Sequence, residues 1–166
     1  NNASKTKVLM DSLSLNSVYT LEGADQSILD LFEAGFATES ETANEIKRVY
    51  EISNYIEDPH TAVASAVYYA YQKGSGDDTP AVIASTASPY KFPRVAVSSV
   101  TGKDSGDDFV AIKELQKLSG VSIPSAVDGL EQAEVRHHTV IASQNMQHVV
   151  EKYLGVWGRA IRLFSF

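Results

Sequence analysis

Two short runs in this chain gather side chains that can do chemistry. The first, EDPHTAVA at 57–64, places a carboxylate, an imidazole and a hydroxyl within four positions, at Asp58, His60 and Thr61. The second, STASPYKF at 85–92, offers hydroxyls at Ser85, Thr86 and Ser88 and an amine at Lys91. Neither run forms a nucleophilic triad. No serine sits in a G-x-S-x-G elbow, and no pair of carboxylates is set apart by its surroundings. What the runs share is a helix start: Asp58 before Pro59 and Ser88 before Pro89 each pair an N-cap residue with proline at the first helical position. The chemistry available at such a place is non-covalent, because hydroxyls and unpaired backbone N–H groups there can face a cofactor ring or an anion.

The elements around these runs alternate. Upstream of Ser85, AVIA at 81–84 is the short apolar run of a strand buried on both faces, and a strand is predicted over 80–85. Ser85 and Thr86 then stand at its carboxyl end, where open α/β sheets bind ligands; the plainer alternative is an ordinary connection to the next helix. Apolar spacing predicts amphipathic helices over 24–34 (Ile28, Leu29, Leu31, Phe32) and 40–53 (Ile46, Val49, Tyr50, Ile52). A helix over 61–72, nearly all small and aromatic, is expected to be buried on most sides and to end at Gly74. Further helices are expected over 89–100, 107–118 (Phe109, Ile112, Leu115), 127–134 and 144–153, with a chain break at 122–124 and a second buried strand, HTVIA, at 138–142. The alternation predicts an α/β fold, helices packed on a partial, mainly parallel sheet. Residues 1–166 read as a single domain or domain fragment: an N-terminal segment 1–23 without a clear element, an α/β core over 24–155 and an apolar tail at 156–166.

Composition narrows the partners. A chain of 166 residues with 43% apolar content can bury one core. A net charge of −7, with the fourteen Lys and Arg scattered, argues against nucleic acid, which calls for a basic face. There is no cysteine, hence no disulfide or thiolate metal site, and no apolar run of the length of a signal peptide or membrane span, so a cytoplasmic protein without membrane contact is expected. Ser-Gly-Asp-Asp occurs at 75–78 and again at 105–108, but neither copy has the alternating oxygens and distal glutamate of a calcium loop, so both read as solvated turns. His137 and His138 are adjacent and would point to opposite faces of a strand, so with His148 they read as surface histidines and no metal site is expected. His60 differs: in the first turn of a helix it is placed either to bind an anion or simply to pack.

The two motifs together, about two dozen residues apart, resemble the C-terminal part of threonine synthase, a pyridoxal-phosphate enzyme of the fold-type II class. That family carries a DPHTAVG helix start and then a strand ending STAHPAKF. Phe32, Ala34, Gly35, Phe36 and ESETANEIKRVYEISNY at 39–55 also look like the family's preceding helix, so the resemblance spans about 28–100. Ala64 stands where the family has glycine and Ser88 where it has histidine; Thr86 and Lys91 keep the pattern.

The resemblance implies conversion of O-phospho-L-homoserine and water to L-threonine and phosphate with pyridoxal 5'-phosphate. It implies that the Thr86 hydroxyl bonds the pyridine nitrogen of the cofactor and that Ser85 orients Thr86 or the backbone. It gives His60 and Lys91 to the substrate; Lys91 would otherwise lie on the surface with its stem along Phe92. The family's cofactor-binding lysine and its glycine-rich phosphate cradle match no stretch here, and the chain opens with Asn-Asn rather than Met. It is therefore read as a fragment, inactive by itself, with no catalytic residue of its own. Two other readings stand beside this one: a noncatalytic α/β interaction module, self-associating through an exposed sheet or docking through GVWGRAIRLFSF at 155–166, and another fold-type II enzyme acting on serine or cysteine derivatives.

Overall fold

Caps decide where the helices of this chain begin and end. The computed structural model describes residues 2–21 and 31–155, which fall into two units divided between Val127 and Asp128. In the first unit, helix α1 (Ala3–Asn16) is capped by Asn2, whose side chain accepts the Lys5 N–H at 3.0 Å, and it buries none of its residues. Helix α2 (Glu39–Ser53) starts in a reciprocal capping box: Thr38 Oγ1 accepts the Glu41 N–H at 3.3 Å while the Glu41 carboxylate accepts the Thr38 N–H at 2.7 Å. Helix α3 (Pro59–Ser75) is capped by Asp58, and helix α5 (Asp108–Ser119) by Asp107, which accepts from the N–H groups of Phe109 and Val110. Between them, Ser88 caps a single 3₁₀ turn, Pro89–Lys91; Pro93, which cannot continue that turn's hydrogen bonding, opens helix α4 (Pro93–Thr101).

Helical spacing then selects the core. Ile46 on α2, Ala62 on α3, Pro93, Ala96 and Val97 on α4 and Ala111, Ile112 and Leu115 on α5 are all buried, with Ile56 from the α2–α3 link and Tyr90 from the 3₁₀ turn; Ala96 and Val97 follow Pro93, and Leu115 follows Ala111 and Ile112, at three and four positions. Helix α2 packs against both α3 and α4, and α4 packs in turn against α5. Small residues on α3 let it lie close to α2, and Gly35 makes a similar approach: a Cβ there would stand 2.7 Å from Val67 Cγ1. The second unit holds 3₁₀ turns at Leu130–Gln132 and Ser143–Asn145 and helix α6 (Met146–Tyr153), in which no residue is buried. Among the described residues no helix is long and apolar enough to cross a membrane.

The α/β expectation fails. The described residues are helical and contain no strand or sheet. Residues 81–84 and 138–142 form neither strand nor helix and are largely exposed: Val82 is 98% and Val140 95% accessible. An apolar run becomes a strand only when a neighbour supplies the ladder of N–H and C=O groups, and alternation of elements carries no information about whether that neighbour is there. Four helix expectations also change. The one over 89–100 divides into the 3₁₀ turn Pro89–Lys91 and α4, which opens at Pro93. Helix α3 buries only Thr61, Ala62 and Ser65, leaving Tyr69 and Tyr71 on the surface, Tyr69 beneath the Arg48 guanidinium of α2. The helix expected at 127–134 shrinks to the turn Leu130–Gln132. Of the helix expected over 24–34, residues 24–30 lie outside the described residues and 31–34 are not helical; the tail at 156–166 also lies outside them.

Leu115 is wholly enclosed at the α4–α5 packing. Leu115→Ala is expected to lower stability by about 2–5 kcal/mol, measured as the shift of a urea unfolding midpoint.

Candidate functional site

Asp58 organises the site from below the surface. A fully buried carboxylate needs donors, and this one has three. Its Oδ1 accepts the backbone N–H groups of His60 at 3.0 Å and Thr61 at 3.4 Å, and its Oδ2 accepts the Thr61 hydroxyl. Burial pushes the Asp58 carboxyl up, but the Thr61 hydroxyl and the two N–H groups outweigh it and hold the group below the ordinary aspartate range. The first N–H groups of α3 are thereby spoken for, so this helix start presents no bare array of donors to a phosphate.

The second run joins the first through Thr61. Its Oγ1 lies 3.1 Å from Ser85 Oγ, a hydrogen bond between residues 24 positions apart, and Ser85 Oγ also reaches the Ala87 carbonyl at 3.5 Å. Ser85 is thus tied to the start of α3, and Thr86, the next residue, is exposed. A second contact runs in parallel. The His60 side chain, 65% accessible, has Nδ1 3.4 Å from Asp58 Oδ1 and its ring 5.0 Å from that of Phe92 at a 43° tilt. On the other side the Lys91 ammonium lies 5.4 Å from the Phe92 ring centre. Tyr90 anchors the whole turn: buried, it takes its N–H to Ser88 Oγ and donates its hydroxyl to the Val121 carbonyl at 2.6 Å.

The structure therefore brings His60, Ser85 and Lys91 onto one connected patch, with Thr86 beside Ser85 in the chain. It does so without the strand expected beneath Ser85. Sequence reasoning named Thr61 and Phe92 but gave neither the role that the structure shows, the two contacts between the runs. The signal for Thr61 was present: a hydroxyl at the third position after an aspartate cap lies where it can return to the cap carboxylate. The serine–glycine–aspartate repeats serve as turns and caps, Asp107 at α5 and Asp77 for the Thr79 N–H. Asp104, just before the second copy, is held at about 2 by the Arg94 guanidinium and the Gly106 N–H. Among the described residues no group of three or more His, Asp or Glu side chains is placed to hold a metal ion.

Thr61→Val keeps the shape of the side chain and removes its hydroxyl, leaving Asp58 Oδ2 unpaired and Ser85 untied. A loss of about 1–3 kcal/mol is expected at neutral pH. The sign of the pH effect follows from Asp58: its depressed folded pKa gives stability that is present above the unfolded value and lost as pH falls through the folded one. In Thr61→Val that loss should begin at higher pH, read from unfolding midpoints between pH 2 and 6.

These residues now have a context. A family model described as threonine synthase, C-terminal, matches residues 61–152, more than half of the chain. The match opens on Thr61, the residue that links the two motifs, takes in the whole of STASPYKF and extends into α6. From the hydroxyl that holds the site together to the last described helix, then, the chain belongs to the family of threonine synthase C-terminal domains.

Proposed function

We propose that this chain forms the C-terminal part of a threonine synthase that converts O-phospho-L-homoserine and water to L-threonine and phosphate. The observation that carries the reading is a pair of neighbouring exposed hydroxyls of which the first, Ser85, is hydrogen-bonded to Thr61 and the second is Thr86. A hydroxyl that is fixed in position by its neighbour yet open to solvent fits an aromatic ring nitrogen, which takes one donor or gives one acceptor in the ring plane. Pyridoxal 5'-phosphate, when bound, supplies the electron sink for the elimination and hydration.

This chain's residues would do the following. Thr86 sets the polarity at the ring nitrogen; being neutral, its hydroxyl leaves that nitrogen largely unprotonated, unlike an opposed carboxylate. Ser85, braced by Thr61 and Asp58, fixes where Thr86 stands. His60, supported by Asp58 and Phe92, and Lys91 offer donors and positive charge to the carboxylate or phosphate of the substrate. The capped start of α3 does not hold the cofactor phosphate, and no lysine of this chain stands in the role of the covalent partner. Both belong to other polypeptide of the enzyme, so the 166 residues alone do not turn over.

The first test mixes the chain with pyridoxal phosphate, reduces with borohydride and maps labelled lysines by mass. Scattered, substoichiometric labelling without threonine formation is expected; one stoichiometric label together with threonine from phosphohomoserine would overturn the reading. In the assembled enzyme, Thr86→Val should reduce kcat about fivefold or more with KM little changed, the loss of one hydrogen bond, and Thr86→Ser should restore most of it.

A further inference from the structure

Behind Asp58 lies an acid that nothing above uses. Glu57 is 6% exposed and sits in the link between α2 and α3, immediately before the cap residue of α3. Its Oε2 has no hydrogen-bond partner. The groups facing it come from both helices. From α2 come Glu45, itself 5% exposed, and Arg48; from α3 comes Ser65; and Asp58 adjoins it in the chain. The cation among them is already engaged: Arg48 Nε and Nη2 donate to the two oxygens of Glu45 at 2.8 and 2.7 Å, and its guanidinium lies 4.7 Å over the Tyr69 ring. The hydroxyl is engaged as well, since Ser65 Oγ stands 2.6 Å from Glu45 Oε1. One guanidinium thus serves a pocket that would hold three negative charges if Glu57 ionised.

An ionised carboxylate buried with a bare oxygen is far costlier than the neutral acid, and two neighbouring carboxylates add to the cost. We propose that Glu57 is a positioning residue, seated as the neutral acid between α2 and α3, and that its ionisation releases the start of α3 that Asp58, Thr61 and Ser85 hold together. Burial first, and Glu45 second, push the Glu57 carboxyl above the ordinary glutamate range, against the weaker opposing effects of Ser65 and Arg48. The sign follows. A raised folded pKa means the folded state keeps its proton longer than the unfolded chain, so this contribution is complete below the unfolded value and is lost as pH rises through the folded one. Asp58 behaves in the opposite sense, losing its contribution only in acid. The start of α3 is therefore firmest between the two, under mildly acidic conditions. Hydration of an ionised Glu57 requires the link 54–58 to move outward, and the motion passes directly to the next residue, the cap. The site is the one in the proposed function, but the mechanism of its release does not depend on the cofactor.

The experiment follows the chain without ligand. Carboxyl ¹³C shifts of the 166-residue chain are recorded from pH 3 to 9, together with amide exchange protection at His60 and Thr61, each corrected for the intrinsic rate. Glu57 should titrate above the other glutamates, and protection at both amides should fall about tenfold for each unit by which its pKa is raised. In Glu57→Gln, which stays neutral, protection should stay flat above pH 5. A Glu57 carboxyl that titrates at or below the ordinary value overturns the proposal, whether or not the variant folds. So does protection that falls with the same profile in Glu57→Gln. Because no readout uses pyridoxal phosphate, failure here leaves the proposed function standing, and failure of the borohydride test leaves this proposal standing.

Discussion

A carboxylate removed from water must be met by donors, and in this chain the donors that meet Asp58 are what join its two motifs. Had the cap been exposed, it would have needed only water, and α3 would have begun at an arbitrary distance from the turn at 85–92. Buried, it draws in the N–H groups of His60 and Thr61 and the Thr61 hydroxyl, and the position of that hydroxyl then determines which residue can pair with it. Ser85 is that residue. A local requirement, satisfying one charge, becomes a long-range one across 24 residues of chain.

The helical core makes that burial possible. Asp58 is enclosed because α3 lies close along α2, and it does so through Ala62 and Ser65, which leave room for the α2 side chains opposite. The same closeness puts Glu45 within reach of Ser65 and encloses Glu57, so packing that holds the site also loads it with acids. Tyr90 performs the equivalent task at the other motif: its ring belongs to the core, while its hydroxyl bonds the Val121 carbonyl just beyond α5. Both motifs are thus fastened to the helical core, and His60, Ser85, Thr86 and Lys91 are left exposed above it.

How much of this the sequence disclosed depends on the range of the interaction. Asp58 before Pro59 announced the start of α3, and Ser88 before Pro89 a start that the structure gives as a single 3₁₀ turn, because a cap acts within three residues and its signal is local. The packed faces of α2 and α5 were legible for a similar reason, since Ile46 and Tyr50, and Ile112 and Leu115, repeat along one helix. The sheet was not legible. Val82 and Val140 have the side chains of buried strand residues, but pairing depends on another segment, and here both are left exposed outside any strand. Helix α1 was missed for the opposite reason: it buries nothing, so no apolar stripe announces it, and its Asn2 cap alone was too small a signal.

The patch itself lies between these limits, since each residue type was readable and their connection was not. Thr61 was visible as a first-turn residue and Ser85 as a hydroxyl at a segment end, yet their bond depends on how the link 54–58 and the segment before Ser85 pass each other. That geometry gives adjacent hydroxyls different fates. Ser85 is committed to the scaffold, and a committed hydroxyl cannot reorient towards a ligand without breaking its bond to Thr61. Thr86, one residue further, is exposed. The tied residue lowers the freedom of its neighbour before any ligand arrives, so a ligand met by Thr86 has less ordering to bear. A pair of hydroxyls both tied would offer nothing to bind, and a pair both free would bind loosely; one of each is the arrangement that the proposed function calls on to hold a ring in place.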